Sequence, residues 1–345
     1  MKRNRWIHCY KFNCHHEQKK GVFIMNRSQM FEISLKERQK RERRVRFEKS
    51  KSMYALLFPA MVLLLLFHYL PMFGLVIAFK DYNIMLGSNP IEAISLSPWV
   101  GLKNWTRLWV QSKFQRSITN TLIISLMKIL FYFPVPILLA LMVNEVRHTM
   151  VKRTIQTVLY LPHFISWVVV GALFMNILGT TGIVNMIIKL FNGKPQKFFM
   201  DNYWFRWVLL ISATWKEAGW NTIIYLAAIT SINPELYEAA KIDRASRLQQ
   251  IWYITIPGIA STIVMMLLLR LGSIMEAGFN QVLVMYNPTV YKTGDIINTF
   301  IYREGLGKLN WSQGTMVGLF NSLINMILML GGNYFSRRIS GRSIW

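Results

Sequence analysis

Between Met53 and Phe79 the chain contains no lysine, arginine, aspartate or glutamate. A helix rises about 1.5 Å per residue, so a run of about 20 apolar residues is long enough to cross the hydrocarbon of a bilayer. Five further runs of this kind follow, at about 118–143, 155–178, 207–230, 258–284 and 314–336. Pro134 and Pro136 fall inside the second and Pro162 inside the third. Prolines are tolerated in spans when neighbouring helices or water satisfy the freed carbonyls. The reading is an all-α polytopic membrane protein with six transmembrane helices packed as a bundle.

The composition agrees. Of 345 residues 53% are hydrophobic and only 16% are charged, and the charges are clustered. The net charge of +24 does not point to nucleic acid, because no aromatic-interleaved basic fold accompanies it. Residues 1–52 alone carry 16 lysines and arginines against 5 acids. A basic tail beside a membrane span reports orientation and contact with anionic lipid. With the N-terminus in the cytoplasm, the inner segments hold 25 lysines and arginines and the outer loops 12. The outer loops also carry Trp99, Trp105, Trp109, Tyr203, Trp204, Trp207 and Trp311, as interfacial belts do. Both termini are therefore expected in the cytoplasm.

The chain reads as a basic cytoplasmic tail, 1–52, followed by one membrane domain, 53–345. The tail contains the cluster HCYKFNCHH around Cys9 and Cys14. Cysteine and histidine are zinc ligands, but this spacing matches no common finger, and no metal site is assigned. Residues 29–51 suit either an amphipathic helix or a solvated tail. The first apolar run begins only near Met53, so no cleavable signal peptide is expected.

The segment 233–257 stands apart. It is polar, it lies between two apolar runs, and it falls on the cytoplasmic side. Asn233, Pro234 and Glu235 form a helix start signal. Glu238 offers a charge, while Ala239 and Ala240 let another surface come close. The order resembles the loop of binding-protein-dependent ABC import permeases: EAA, three residues, Gly, nine residues, Ile, any residue, Leu, Pro. Glu238, Ala239, Ala240, Ile254 and Pro257 fall on that pattern. Ile256 replaces Leu, and Arg244 replaces Gly. Glycine there permits a left-handed turn. With arginine, either the turn is helical throughout or Arg244 makes a charge contact, with Asp243 and Arg247 as local partners. The stretches WKEAGWNTIIYLAAITSINPELYEAA and GFNQVLVMYNPTVYKTGDIINTFIYREGL resemble oligosaccharide permeases of the maltose-type importers. The branch described as polysaccharide or aldouronate permeases is the nearest in appearance, and the resemblance covers about 53–345.

This resemblance implies a type I ABC importer fold in the bacterial cytoplasmic membrane. The chain would be half of a translocation pathway for oligosaccharides, acidic uronate-containing ones among them. Implied partners are a second, homologous permease, two ABC ATPase subunits that carry ATP and Mg, and an extracytoplasmic sugar-binding protein. Glu238, Ala239, Ala240, Asp243, Arg244 and Pro257 would form the ATPase-coupling element. The chain has no GxxxxGK[ST] phosphate loop and no catalytic constellation, so it reads as a transport subunit rather than an enzyme. No cofactor is expected on it. The alternative is an ion-gradient-driven secondary transporter, which would usually carry more spans and an internal repeat and would need no coupling loop. A membrane-bound signalling protein would leave the polar residues inside the spans unexplained.

Those residues are the remaining candidates, because intramembrane charge is functional by default. Helix rise places Arg270, Lys216, Glu217 and Lys128 roughly 20–23 Å from the inner face. In this layer Glu217 is expected to pair with Arg270 or Lys128, leaving cationic donors for a uronate or hydroxyl-rich sugar. Trp215, Trp220 and Phe279 would stack on sugar faces, and Asn221, Glu276, Asn280 and Gln281 would hydrogen-bond hydroxyls. The same charges would equally serve as an internal network that locks the bundle.

Overall fold

A computed structural model describes residues 53–340 together with Lys40, Val45, Ser50 and Lys51. Apart from those four positions, the basic tail with its Cys9/Cys14 cluster and the 29–51 segment lies outside the described residues. The chain divides into two compact units, Met1–Met72 and Phe73–Trp345. The first contributes residues 53–72 of α1 (Met53–Phe79), whose side chains are almost all exposed.

The second unit opens with the 3-10 turn Phe73–Phe79 that ends α1. Two short helices follow, α2 (Pro90–Leu96) and α3 (Lys103–Trp109). Asn104 ties this segment together by donating to the carbonyls of Ala78 and Lys80 at 2.9 and 3.0 Å. Next come α4 (Ser112–Glu145), α5 (Thr149–Tyr160), α6 (Trp167–Leu178) and α7 (Ile183–Leu190). The 29-residue α8 (Asn202–Thr230) leads to α9 (Pro234–Ile242) and α10 (Arg247–Gly272). Last are α11 (Phe279–Met285), the turn α12 (Ile297–Phe300) and α13 (Trp311–Ser340).

Five stretches are long and apolar enough to cross a membrane: Met53–Phe79, Ser112–Glu145, Trp167–Leu190, Arg247–Gly272 and Trp311–Arg338. The expected fourth span, 207–230, lies within α8, which is not among these five, and Arg206, Lys216 and Glu217 interrupt its apolar surface.

Two expected spans are not continuous helices. Residues 155–178 break at Pro162, where a 3-10 turn, Leu161–Phe164, separates α5 from α6. The two pieces nevertheless run antiparallel along α8. Leu159 faces Gly219, His163 meets Lys216, and Val170 and Phe174 share a core with Phe205 and Leu209. The expected span 258–284 is not one helix: α10 ends at Gly272, a 3-10 turn Ile274–Glu276 follows, and Ala277 and Gly278 adopt left-handed backbone at φ 47° and 85° before α11. Such residues end a right-handed helix.

α4 accommodates Pro134 in a specific form. A π-turn, Lys128–Tyr132, precedes it, and Phe133 N–H bonds the Lys128 carbonyl. The same device recurs at Leu65–Tyr69 before Pro71 and at Ile251–Thr255 before Pro257. Proline removes one donor and pushes away the carbonyl four residues back. A wider turn just before the ring lets the helix continue through the defect.

α13 packs antiparallel to α10, with Gly272 beside Met329 and Gly332 beside Leu268. A core of Leu108, Phe114, Met275, Ile297, Phe300 and Met316 continues this seam. A further core, of Ala140, Leu141, Tyr225, Leu226, Ile229 and Ile259, joins α4, α8 and α10.

Candidate functional site

The segment 233–257 folds as two helices joined by a tight turn. Asn233 caps α9 by accepting from Glu235 N–H at 3.1 Å, with Pro234 in the first turn. None of the nine residues of α9 is buried. Glu238 and Ala239 are exposed, and Ala240 is half-buried.

The turn after α9 is left-handed. Arg244 has φ 58°; its N–H bonds the Lys241 carbonyl at 3.1 Å, and Ala245 N–H bonds that of Ala240 at 2.9 Å. This pair of bonds is the Schellman helix ending, whose left-handed position is usually glycine. Neither alternative expected for Arg244 holds. The turn is not helical throughout, and Arg244 makes no ion pair among the described residues. Arg247 instead reaches across to Glu145 at the end of α4, at 3.2 Å. Ser246 and Gln249 form a reciprocal capping box that starts α10. Tyr237 Oη lies 2.9 Å from Thr255 Oγ1, joining α9 to α10. Pro257 follows the π-turn of α10.

The polar residues expected inside the membrane, with their neighbours, form three knots. In the first, Lys128 is 3% exposed and donates to the Ala277 carbonyl at 2.9 Å and to Gln281 Oε1 at 2.7 Å. Gln281 in turn donates to the Leu209 carbonyl and to Ser212 Oγ, at 2.6 and 2.7 Å. In the second, Tyr132 accepts a hydrogen bond from Asn221, and the guanidinium of Arg270 lies 5.8 Å from its ring centre.

The third knot is centred on Glu217. Its carboxylate does not pair with Arg270 or Lys128 as expected. It meets His163 Nδ1 at 3.0 Å and Lys216 Nζ at 3.8 Å. Lys216 also donates to the His163 carbonyl and lies 5.5 Å from the Trp167 ring centre. The His163 ring stacks on Trp220, with centroids 4.5 Å apart and planes within 4°. His163 is the polar residue that the sequence did not disclose. A histidine after a proline reads as loop, and the only signal was a Lys-Glu pair on α8 in need of partners.

Other candidates are dispersed. Trp215 meets Phe174 edge-on at 5.9 Å, and Phe279 tilts against Tyr302 at 6.2 Å. Glu276 and Asn280 are exposed near the left-handed break. Lys128, Lys216 and Gln281 are buried and bonded to protein, whereas Glu217, Asn221 and Arg270 are half-buried and Trp215 and Trp220 are exposed. No cluster of three or more metal-ligating side chains occurs among the described residues.

Comparison with known proteins gives this geometry a context. Residues 132–341 match the family described as binding-protein-dependent transport system inner membrane component. The chain is 40% identical over 314 residues to the polygalacturonan/rhamnogalacturonan transport system permease protein YteP of Bacillus subtilis (strain 168), covering 91% of this chain and 96% of that one. It is also 40% identical over 299 residues to protein LplB of the same organism, covering 86% of this chain and 92% of LplB. Among solved structures it is similar to a chain of a bacterial ABC transporter involved in the import of the acidic polysaccharide alginate. The identity is 41%, the TM-score 0.78, and the match covers 85% of this chain and 98% of that one. The same holds for a bacterial alginate ABC transporter in complex with an alginate pentasaccharide-bound periplasmic protein, at 40% identity and TM-score 0.79, over 86% of this chain and 98% of that one. The match spans the π-turned helix α4, the polar knots and the left-handed turn after α9, and the chain belongs to the family of membrane permease components of binding-protein-dependent ABC importers.

Proposed function

We propose that this chain is the permease subunit that forms half of an oligosaccharide pathway in the bacterial cytoplasmic membrane and takes its driving force through α9. The observation that carries this reading is the exposed α9. It is anchored at one end by the Asn233 cap and at the other by the Arg244 turn, yet it buries none of its own residues. Such a helix is held rigidly and offered to a partner. In this reading Glu238 pairs with a basic residue of an ABC ATPase, and Ala239 and Ala240 allow close packing. Asp243, Arg244 and Pro257 set the geometry on either side. ATP and Mg belong to two ATPase subunits, and a second, homologous permease completes the pathway. Closure of the ATPases would tilt α8 and α10, which flank α9, in a hinge-type transition.

Six crossings follow from this reading, with both termini cytoplasmic. α8 has 29 residues, hence a length of about 44 Å, enough to span. The third crossing is the α5–α6 pair, broken at Pro162 but tracking α8 from end to end. The domain division is a basic tail over 1–52 and a membrane domain over 53–345.

The substrate is an oligosaccharide, and the relatives favour an acidic one: one is a polygalacturonan/rhamnogalacturonan permease and another imports alginate. An extracytoplasmic sugar-binding protein would deliver it. Glu217, His163, Trp220, Asn221, Trp215 and Arg270 are the pathway residues that the fold leaves accessible. Phe279, Glu276 and Asn280 would join them at the break, while Lys128 and Lys216 act by holding that wall in place.

The test is reconstitution with the partner permease, ATPase and binding protein, followed by ATP-driven uptake. Glu238→Ala should abolish uptake in a complex that still assembles in the membrane. Uptake that needs no ATPase, or that ignores Glu238, would overturn the reading in favour of an ion-driven carrier.

A further inference from the structure

Where the N-terminal turn of α4 meets the segment 291–308, Lys113, Arg116, Tyr291, Asp295, Arg303, Glu304 and Lys308 line a cavity of about 310 Å³. In the orientation proposed above it opens on the outer side, away from α9 and from the three intramembrane knots. None of its residues belongs to the machinery described so far.

Its floor is rigid. Asp295 is 5% exposed and grips Arg303 through two parallel bonds of 2.9 and 2.6 Å. Thr299 donates to the same carboxylate at 2.9 Å. The Arg303 guanidinium lies 4.6 Å from the centre of the Tyr291 ring. Asp295 holds the Arg303 guanidinium well above its ordinary range, outweighing the effect of burial. Bidentate Arg–carboxylate pairs of this kind fix geometry as well as charge.

Its rim is reactive toward ligands. Glu304 binds Lys308 at 2.6 Å and touches Arg303 at 3.5 Å. Lys113 and Arg116 are exposed, and neither has a carboxylate partner among the described residues. Four cations therefore face two carboxylates around one concavity, and the two unpaired cations sit together one turn apart on α4.

We infer that this cavity is a binding subsite for one uronate residue of an acidic oligosaccharide, with Lys113 and Arg116 taking the sugar carboxylate. This deepens the substrate class of the proposed function and rests on that reading. The mixed lining argues for a sugar acid over other anions. The lining carboxylates repel a phosphate and a sugar carboxylate alike, but the sugar also brings hydroxyl donors that a carboxylate can accept. A hydroxyl-rich uronate uses both kinds of group: its carboxylate pairs with Arg116 and Lys113, and a hydroxyl donates to the Glu304 carboxylate at the rim. A protein surface would fit a flat basic patch better than a concavity.

The experiment uses the whole complex in proteoliposomes and compares import of trigalacturonate with its methyl ester. In the wild type the acid should be favoured. In Lys113→Gln/Arg116→Gln the acid-to-ester import ratio should fall about tenfold, and added salt should lower the wild-type ratio while leaving the variant's unchanged. An unchanged ratio overturns the subsite. So does an equal loss for both sugars, or loss of receptor-stimulated ATP hydrolysis in the variant, since either marks the cavity as a docking surface for the receptor. If the wild type imports neither acid nor ester, the substrate class of the proposed function fails as well. If it imports both without preference, only the subsite falls.

Discussion

The ammonium of Lys128 and the carbonyl of Ala277 lie 2.9 Å apart, although 149 residues separate them in the chain. Lys128 stands in the π-turn of α4, and Ala277 in the left-handed break between α10 and α11. One interrupted helix therefore holds another at its interruption. The Ala277 carbonyl in the break is satisfied by the side-chain nitrogen of Lys128.

This pair can be tested by removing the charge. Lys128→Met should leave the Ala277 carbonyl and the Gln281 amide oxygen without a donor in an apolar setting, at a cost of about 1–3 kcal/mol. Thermal unfolding of the purified protein in detergent reads this directly. Gln281→Leu should cost a similar amount, and the double variant less than the sum of the two, because the residues share one network. Additive losses would mean that the two side chains act separately.

Gly219 is required by close approach. A Cβ there would sit 1.9 Å from the Leu159 carbonyl oxygen, which is backbone and cannot swing aside. Gly219→Ala should force α5 away from α8 at a cost of at least about 1–3 kcal/mol. The expected readout is low yield of folded protein in the membrane. Gly318→Ala serves as the control, because nothing lies within 4 Å of a Cβ at that position.

Arg244 holds a left-handed conformation that costs a residue with a Cβ about 1–2 kcal/mol. Arg244→Gly should therefore raise stability by about 1 kcal/mol with uptake retained. Arg244→Val should lower stability, because a β-branched side chain fits that region worst. Melting temperatures of the three proteins, measured side by side, check the order Gly above Arg above Val.

The Arg247–Glu145 bridge is exposed on both sides, and exposed pairs contribute about 0–1 kcal/mol. Arg247→Ala should therefore leave the melting temperature nearly unchanged. If the bridge transmits movement of the coupling segment to α4, ATP hydrolysis should continue while uptake falls. The charge swap Arg247→Glu with Glu145→Arg should then restore uptake. Equal loss of hydrolysis and uptake would contradict a transmitting role.

The sequence disclosed what depends on continuous apolar runs. α1, α4 and α13 lie close to the expected spans, since nothing in them competes with the hydrophobic signal. It was less informative where an apolar run is broken into pieces. Pro162 and the pair Ala277–Gly278 each end a helix inside an apolar run, and hydrophobicity alone cannot tell a broken span from a whole one. The intramembrane charges were legible as residues but not as pairs. Helix rise gives height along an axis and says nothing about rotation around it, so Glu217 was assigned to Arg270 or Lys128, whereas it faces His163. The left-handed turn at Arg244 was visible only through the glycine it replaces. The two backbone hydrogen bonds of the turn and the Ser246–Gln249 capping box beside it outweigh the local preference of arginine.

α9 buries none of its nine residues, and Tyr237 ties it to Thr255. Its exposed positions, Glu238 and Ala239 among them, answer to few packing requirements inside this chain. If α9 is where an ATPase docks, exchanging 235–242 with Tyr237 kept should move the bundle from one motor to another without rebuilding the channel.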